Sequence, residues 1–562
     1  MPPLSLSKKP KLLLSLLSLC FLFVLLPSRP HHYRPHYSHR RHLTSTGTDP
    51  NIARHCDGTL YPELCASTLA TLSKTNVPIS DAICHVIKST TSAVRNSRSN
   101  CSSYLTHLPQ LDQRNKLALQ DCLELLDQTL DELSSAFSGM NNVSRSADSI
   151  STVQTVLSGA LTNQYTCLDG FAYAPKAGAR VRPYIKGRFF HVAHLISNSL
   201  AMVKKLPRKR RHLRETFEGY GRITRGYPQW VSGKDRHLLQ VPSNATIMAD
   251  LVVAKDGSGN FTTVTDAINA APNNSDTRFV IYVKAGGYYE NVEVGKSKTN
   301  IMLIGDGMWK TTIKGNRNVV DGWTTFRSAT VAVVGNGFIA RDLTIENYAG
   351  PSKHQAVALR VSADLTAFYR CSFVGYQDTL YTHSLRQFYR ECDIYGTIDF
   401  IFGDAAVVLQ NCNLYARKPD PNQVNVFTAQ GREDPNQNTG ISIQNCKVAA
   451  AADLIPVQSN FSTYLGRPWK QYSRTVYMQS NLESLINPAG WLPWNGTFAL
   501  DTLYYGEYMN RGAGANTTGR VNWPGYHVIK SSVDANNFTV SSFIQGDQWL
   551  SSTMIPFMLG LN

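Results

Sequence analysis

The pattern of hydrophobic and polar positions changes once along the chain, near residue 240. Between about residues 51 and 206, apolar residues recur at spacings of three and four, which places them along one face of a helix. The clearest series is Leu119, Leu123, Leu126, Leu130 and Leu133. Similar series occur near residues 153 and 192. Several amphipathic helices in succession predict an all-α helical bundle.

After residue 240 the pattern becomes one of short β-rich runs separated by Gly, Asn and Asp. A self-similar unit recurs among these runs and is marked by Cys371, Cys392 and Cys412, at separations of 21 and 20 residues. A period of this length indicates short strands that stack coil upon coil. The second half is therefore predicted to be an all-β parallel β-helix.

The first residues are typical of an export signal. Three lysines precede fifteen apolar or small residues from Leu12 to Leu26, whereas a membrane span needs about 20. No clear cleavage site follows, and residues 28–50 are rich in Arg, His and Pro. Export is expected, with residues 1–27 either a signal peptide or an uncleaved signal anchor. A membrane contact is expected only in the second case.

Sequons and cysteines also favour export. The chain carries nine Asn-x-Ser/Thr sequons, each an acceptor for glycosylation on an exposed loop. Apart from Cys20, six cysteines precede residue 170 and four follow residue 370. Even numbers in each half of an exported protein permit disulfides confined to separate domains.

The net charge of +16 is confined to the first half. Residues 241–562 contain 25 Lys plus Arg against 25 Asp plus Glu, so the whole excess lies before residue 241. Much of it is concentrated between Lys204 and Arg211. Such a run is typical of a solvated linker that proteases reach and does not indicate nucleic-acid binding. The neutral β half must recognise its ligand through a local site.

Two aspartates repeat with the period of the coils. Asp378 lies seven residues after Cys371, and Asp399 lies seven residues after Cys392, which predicts the same angular place on successive coils. Two carboxylates this close cannot both ionise easily, so one should act as an acid and the other as a nucleophile or base. A single Asp in a turn usually has a structural role. Both of these lie among large apolar residues, where a carboxylate needs a partner.

Five short segments of the second half stand out: "GGYYEN" at Gly286, "QAVAL" at Gln355, "YQDTLY" at Tyr376, "DFIFG" at Asp399 and "LGRPW" at Leu465. In order and spacing they resemble the signature segments of pectin methylesterases. The resemblance extends from about residue 250 to the C-terminus. It implies a right-handed parallel β-helix that hydrolyses the methyl esters of cell-wall homogalacturonan to de-esterified pectin and methanol, without a cofactor or a metal.

The resemblance also implies roles for individual residues. Asp378 corresponds to the proton donor and Asp399 to the nucleophile. The other implied roles are stabilisation of the transition state by Gln355 and Gln377, substrate binding by Arg467, Trp469 and Thr325, and a disulfide between Cys392 and Cys412. Asp404 stands where the family usually has Asn, which adds an acid near the site.

The first half resembles the pectin methylesterase inhibitor domain. Cys56 and Cys65 match its short cysteine hairpin, and Cys122 and Cys167 match its second cysteine pair. The resemblance implies a pro-domain at residues 51–206 that inhibits or retains the enzyme, in cis or in trans, until it is removed.

A processing linker is expected at residues 207–240. Its "RHLL", from Arg236 to Leu239, resembles the site at which such precursors are cleaved, although His237 replaces the usual second basic residue. Cleavage just after Leu239 by a subtilisin-like protease would release about residues 240–562 into the cell wall, with the enzyme domain at residues 241–562.

Two other classes of function are alternatives to ester hydrolysis: another pectin-active enzyme and a catalytically silent protein. A glycosidase also uses paired carboxylates, and a pectin lyase needs an acidic calcium cluster. Residues 355–404 have glutamines beside the aspartates and no dense acidic cluster, which favours an esterase. A catalytically silent wall-binding or inhibitor protein is disfavoured because the acid, nucleophile, amide and arginine positions are all present.

Overall fold

The structure is a computed structural model. It describes residues 50–72, 76–108, 111–142, 147–172, 181–207 and 248–561. Within these ranges, no helix has both the length and the apolar composition needed to cross a membrane. The leader and the processing site at Arg236 to Leu239 lie outside the described residues.

The described residues before position 208 form a helical domain. Its helices are α1 Pro50–Cys56, α2 Pro62–Leu69, α3 Ile79–His107, α4 Gln113–Asn142, α5 Ala147–Asp169 and α6 Val181–Val203. The leucine series lies on α4, where Leu119, Leu126 and Leu133 are buried and Leu123 and Leu130 are half-buried. The predicted apolar face is therefore the face that packs into the bundle.

Two disulfides join neighbouring helices of this domain. Cys56–Cys65 connects α1 to α2, and Cys122–Cys167 connects α4 to α5. Both pairs are those that the resemblance to the inhibitor domain implies. Each bond restricts the unfolded chain and thereby stabilises the bundle.

Residues 248–561 form a parallel β-helix of three sheets, as predicted. Sheet I contains β1 Leu251–Val253, β2 Phe279–Val283, β5 Ile301–Gly305, β8 Ile339–Arg341, β11 Thr366–Tyr369, β14 Arg386–Arg390, β17 Ala406–Gln410, β20 Gly440–Gln444, β23 Arg474–Met478, β25 Tyr504–Tyr508 and β26 Tyr526–Val528. Sheet II contains β4 Val292–Val294, β7 Val331–Val333, β10 Leu359–Val361, β13 Leu380–Thr382, β16 Ile401–Gly403, β19 Asn425–Gln430 and β22 Thr463–Gly466. Sheet III contains β3 Gly286–Tyr289, β6 Thr311–Gly315, β9 Thr344–Asn347, β12 Ser372–Val374, β15 Asp393–Gly396, β18 Asn413–Ala416, β21 Lys447–Ala450 and β24 Asn481–Leu482.

The β-helix has a core of its own. The buried side chains that fill the inside of the coils all come from residues 253–505. One end of this core is covered by α7 Val264–Ala270. The helices α8 Ser532–Asn536, α9 Val540–Ile544 and α10 Gly546–Trp549 pack against sheet I. A unit with its own core is expected to fold without the helical domain.

The repeated cysteines stack inside the coils. Cys371, Cys392, Cys412 and Cys446 precede in-register strands of sheet III and are buried free thiols. The implied Cys392–Cys412 disulfide is therefore not formed. Each sulfur is directed toward a backbone carbonyl of the preceding coil: the Cys392 thiol donates to Phe368 O at 3.5 Å, and the Cys412 thiol donates to Tyr389 O at 3.5 Å.

Candidate active site

Asp378 and Asp399 lie on two stacked turns that lead from sheet III into sheet II. Asp378 separates β12 from β13, and Asp399 separates β15 from β16. Leu380 pairs with Ile401, so the 21-residue offset places one aspartate over the other. The Asp378 amide donates to the Ile398 carbonyl at 3.0 Å, which ties the turns together. The two aspartates thus occupy equivalent places on successive coils, as their spacing predicts.

Both turns need a left-handed backbone. The φ angles are 61° at Asp378 and 51° at Asp399. Aspartate enters this region more readily than most residues because its short polar side chain bonds locally to the backbone. Gly403, at the end of β16, has φ 127°, and a Cβ there would lie 2.1 Å from the Thr382 carbonyl oxygen. Only glycine therefore fits where these coils approach each other beside Asp399.

The surroundings of the two carboxyl groups affect their pKa values differently. Burial raises the pKa of Asp378 well above its usual range, and the neighbouring charge of Asp399 raises it further. Burial also raises the pKa of Asp399, but the charge and hydrogen bonds of Arg467 oppose that rise. Asp378 is therefore the group that holds a proton, and Asp399 is the group that ionises first.

Arg467 holds Asp399 with both prongs of its guanidinium. Nε donates to Asp399 Oδ1 at 2.8 Å, and the second nitrogen donates to Oδ2 at 2.6 Å. Arg467 follows directly after β22, and its amide donates to Thr428 O at 2.9 Å. This two-pronged geometry fixes the direction of the carboxylate as well as its charge.

The two glutamines of the sequence motifs lie on neighbouring coils beside Asp378. Gln377 precedes Asp378 and is half-buried, whereas Gln355 is buried. The Ala356 amide donates to the Gln377 carbonyl at 3.2 Å, which places the two segments side by side. Both glutamines therefore lie on segments next to the turn that carries Asp378.

Aromatic side chains form a floor on the outer face of sheet II. Tyr381 and Phe402 stack at a centroid distance of 4.2 Å on β13 and β16. The ring of Trp469 lies 6.5 Å from Tyr381 and 6.0 Å from Phe402, edge to face. Of these three aromatic residues, the sequence motifs implied substrate binding only for Trp469. Tyr381 and Phe402 lie within the segments "YQDTLY" and "DFIFG", but alternating apolar residues also fill the core, so these segments did not show that the two rings face outward.

The helical domain lies on this aromatic floor. Tyr381, Phe402 and Trp469 belong to one apolar cluster together with side chains of the helices. Thr166 of α5 hydrogen-bonds to His383 Nε2 at 2.9 Å. Lys470, next to Trp469, contacts Asp169 of α5 at 3.1 Å. The face that would receive a polysaccharide is thus occupied by another part of the chain.

Asp404 belongs to this contact between the domains. Its carboxylate accepts hydrogen bonds from Thr162 of α5 at 2.7 Å, from Gln437 at 2.6 Å and from Thr439 at 2.5 Å. Burial raises its pKa to about 7, against the effect of these hydrogen bonds. The extra acid of this chain is therefore buried beneath the helical domain.

Thr325 also lies near the domain contact. It directly precedes the short 3₁₀ helix Phe326–Ser328. The preceding residue, Thr324, donates to Asp121 Oδ2 of α4 at 2.6 Å, and Arg327 lies 2.5 Å from Asp121 Oδ1. The structure gives Thr325 a place beside the helical domain, while its role in substrate binding stays a prediction.

Known proteins resemble both halves of the chain. The sequence model of the family described as "Pectinesterase" matches residues 250–547, and that of "Plant invertase/pectin methylesterase inhibitor" matches residues 50–202. Pectinesterase 3 of Citrus sinensis is 50% identical over 539 residues, which cover 93% of this chain and 91% of that protein. The chain belongs to the pectinesterase family. It is accordingly a carboxylic ester hydrolase with an inhibitor-like domain in front.

Two further relatives extend this assignment. Probable pectinesterase/pectinesterase inhibitor 39 of Arabidopsis thaliana is 46% identical over 562 residues and 98% of each chain. The solved structure "Pectin methylesterase from Carrot" is 62% identical, with a TM-score of 0.56 over 56% of this chain and 99% of that chain. The carrot structure therefore corresponds to one part of this pectinesterase, which supports a β-helix that folds on its own.

Proposed function

We propose that this pectinesterase hydrolyses the methyl esters of homogalacturonan through Asp399 as nucleophile and Asp378 as acid and base. The observation that carries the proposal is the buried aspartate pair in which Arg467 holds only Asp399. A general acid and an ionised nucleophile side by side are what acyl transfer from an ester requires.

The first half-reaction forms an acyl-enzyme. A carboxylate oxygen of Asp399 attacks the ester carbonyl carbon, and the amides of Gln377 and Gln355 donate to the developing oxyanion. The bond to the methoxy oxygen then breaks as Asp378 gives that oxygen its proton, and methanol leaves. The galacturonyl group remains joined to Asp399 as an anhydride.

The second half-reaction restores the enzyme. Asp378, now a carboxylate, takes a proton from a water molecule whose oxygen attacks the galacturonyl carbonyl. The anhydride bond breaks with its electron pair on Asp399, and a galacturonate carboxyl group is released. Trp469 offers an apolar face to a sugar ring next to this site.

The products distinguish this reaction from its alternatives. A protein of residues 241–562, given methyl-esterified pectin, is expected to release methanol and to form neither new reducing ends nor unsaturated products. Formation of reducing ends would indicate a glycosidase, and formation of unsaturated products would indicate a lyase. If none of the three forms, a silent binding protein becomes the better interpretation.

We further propose that the helical domain inhibits the enzyme in cis. Support comes from its cover over Tyr381, Phe402 and Trp469, which leaves a polymer no access to the aromatic floor. The full chain is expected to release methanol at least tenfold more slowly than residues 241–562. An uncleaved full chain with the same rate as residues 241–562 would refute inhibition in cis.

One ion pair offers a way to loosen this contact without touching the β-helix. Asp121 of α4 is buried against Arg327, which also pairs with Glu124 of the same helix at 2.8 Å, so removal of the Asp121 carboxylate weakens this contact without leaving Arg327 unpaired. Asp121→Ala is therefore expected to raise methanol release by the full chain. Asp127→Ala is the matched control, because Asp127 lies on the same helix but pairs with Arg98 in solvent. Equal rates for both variants would contradict a role of this pair in docking.

The remaining proposals concern maturation. The composition change near residue 240 supports cleavage after Leu239 by a subtilisin-like protease, which would deliver residues 240–562 to the cell wall through the secretory pathway. N-terminal sequencing of the wall-extracted enzyme tests this, with a start within a few residues of Gln240 expected. A protein that begins near Ser28 would overturn it. If Arg236→Ala left processing unchanged, cleavage in the basic cluster at residues 208–211 would become the better proposal.

A further inference from the structure

The guanidinium of Arg467 contacts an aromatic ring as well as the carboxylate of Asp399. Its edge donates two hydrogen bonds to Asp399. Its central carbon lies 4.5 Å from the centre of the Trp494 ring. Trp494 is 39% exposed, so it stands at the rim of the site and not in the core.

The backbone explains why an indole ring stands at this place. Trp491 forms a parallel bridge with Gly466, the residue before Arg467, and the Leu492 amide donates to Gly466 O at 3.0 Å. The Trp491 ring is buried and stacks on Tyr505 at 4.2 Å. Residues 491–492 therefore run alongside β22 from a fixed anchor, and Trp494 follows two residues later beside Arg467.

The two contacts restrict different motions. Hydrogen bonds to a carboxylate hold the guanidinium in its own plane but leave it free to tilt out of that plane. The Trp494 ring, 4.5 Å from the guanidinium carbon, limits such movement, and its quadrupole attracts the cation at the same time. The ring thereby restricts the orientation of the long Arg467 side chain, and Arg467 in turn restricts the orientation of the Asp399 carboxylate.

We propose that Trp494 is a positioning residue for ester hydrolysis, which holds Arg467 flat against Asp399 so that the nucleophile stays ionised and correctly aimed. This inference rests on the proposed role of Asp399 as nucleophile. It assigns to Trp494 an action through Arg467, distinct from any contact that its exposed edge makes with the sugar.

The pH dependence of the rate separates positioning from simple packing. Among the described residues, the charged or titratable groups that interact electrostatically with Asp399 are Asp378, Arg467 and Tyr505. Arg467 lowers the pKa of Asp399, so a loosened Arg467 lets that pKa rise. Since Asp399 must be ionised to attack, activity would then be lost at a higher pH on the acid side of the profile.

The test compares variants of residues 241–562 over a range of pH with methyl-esterified pectin. Trp494→Ala is expected to lower kcat about tenfold, in line with one partly desolvated cation–π contact, with a smaller change in KM. The acid limb of the profile is expected to move to higher pH. Trp494→Phe keeps a ring in place and should recover most of both effects. Trp309→Ala removes another exposed tryptophan, which stacks edge-on to Tyr395 and not on Arg467, and should leave both unchanged.

Three outcomes would overturn the proposal. These are an effect of Trp494→Ala on KM alone, an acid limb that does not move, or a Trp494→Phe variant as impaired as Trp494→Ala. Melting temperatures of all variants exclude loss of folding, and Trp494→Phe remains informative if Trp494→Ala is unstable. Asp399→Ala in the same series separates the two proposals: an active Asp399→Ala refutes the nucleophile itself, whereas an inactive one beside a normal Trp494→Ala refutes only the role of Trp494.

Discussion

Asp399→Ala is expected to lower methanol release on the order of 10⁴-fold or more, because no other group can supply the attacking carboxylate. The loss should appear in kcat, because the substitution to alanine does not change the aromatic floor proposed to bind the substrate. The measurement is the initial rate of methanol release from pectin by residues 241–562, with binding of the polymer followed separately.

Asp393→Ala provides the matched control for this variant. Asp393 belongs to the same coil, in β15, and its carboxylate accepts a hydrogen bond from Asn413 at 2.8 Å. It lies on sheet III, away from the aspartate pair, so its removal should alter the rate only a few-fold. A wild-type rate in Asp399→Ala would remove Asp399 from the mechanism, and equal losses in the two variants would indicate damage to the coil.

Asp378→Asn is expected to lower kcat by about 10²- to 10⁴-fold, because an amide cannot protonate the departing methoxide. The pH profile should change as well. In the wild type, activity is expected to fall as pH rises through the raised pKa of Asp378, because the proton donor is lost. Without that group the alkaline fall should disappear, while the acid fall set by Asp399 remains.

Asp404→Asn is the matched control, since it makes the same change in a buried carboxyl one residue beyond Gly403. Asp404 faces α5 and bonds to Thr162, so the rate of residues 241–562 should stay within a few-fold of normal. An Asp378→Asn variant that kept its alkaline limb and most of its rate would show that the acid lies elsewhere. A large loss in Asp404→Asn would then point to Asp404.

The parallel β-helix and its aspartate pair could be predicted because both are periodic. A repeat of about 21 residues brings equivalent positions to adjacent strands, so Asp378 and Asp399 meet by register alone. The helical bundle was predictable for the same reason, since the leucines of α4 follow the helical period. Wherever local spacing determines proximity, the sequence is sufficient.

Residues outside the repeat required the structure. The pairing of Arg467 with Asp399 spans 68 positions, and no period of the sequence predicts it. Trp494 gave no signal, because its place depends on a bridge between Gly466 and Trp491. The prediction of a Cys392–Cys412 disulfide is wrong although the two cysteines stack as their spacing predicts, because both are free thiols that donate to backbone carbonyl groups.

The amino-acid sequence by itself determined the two folds, their order and the aspartates on equivalent turns of successive coils, because those features follow from hydrophobic periodicity and strand register. The tertiary structure alone decided how the halves meet. Contacts such as Thr166 with His383 and Asp121 with Arg327 join residues about 200 positions apart, and they form only after each domain has made its own surface. Such contacts depend on shape and on burial of charge, and neither quantity is periodic along the chain.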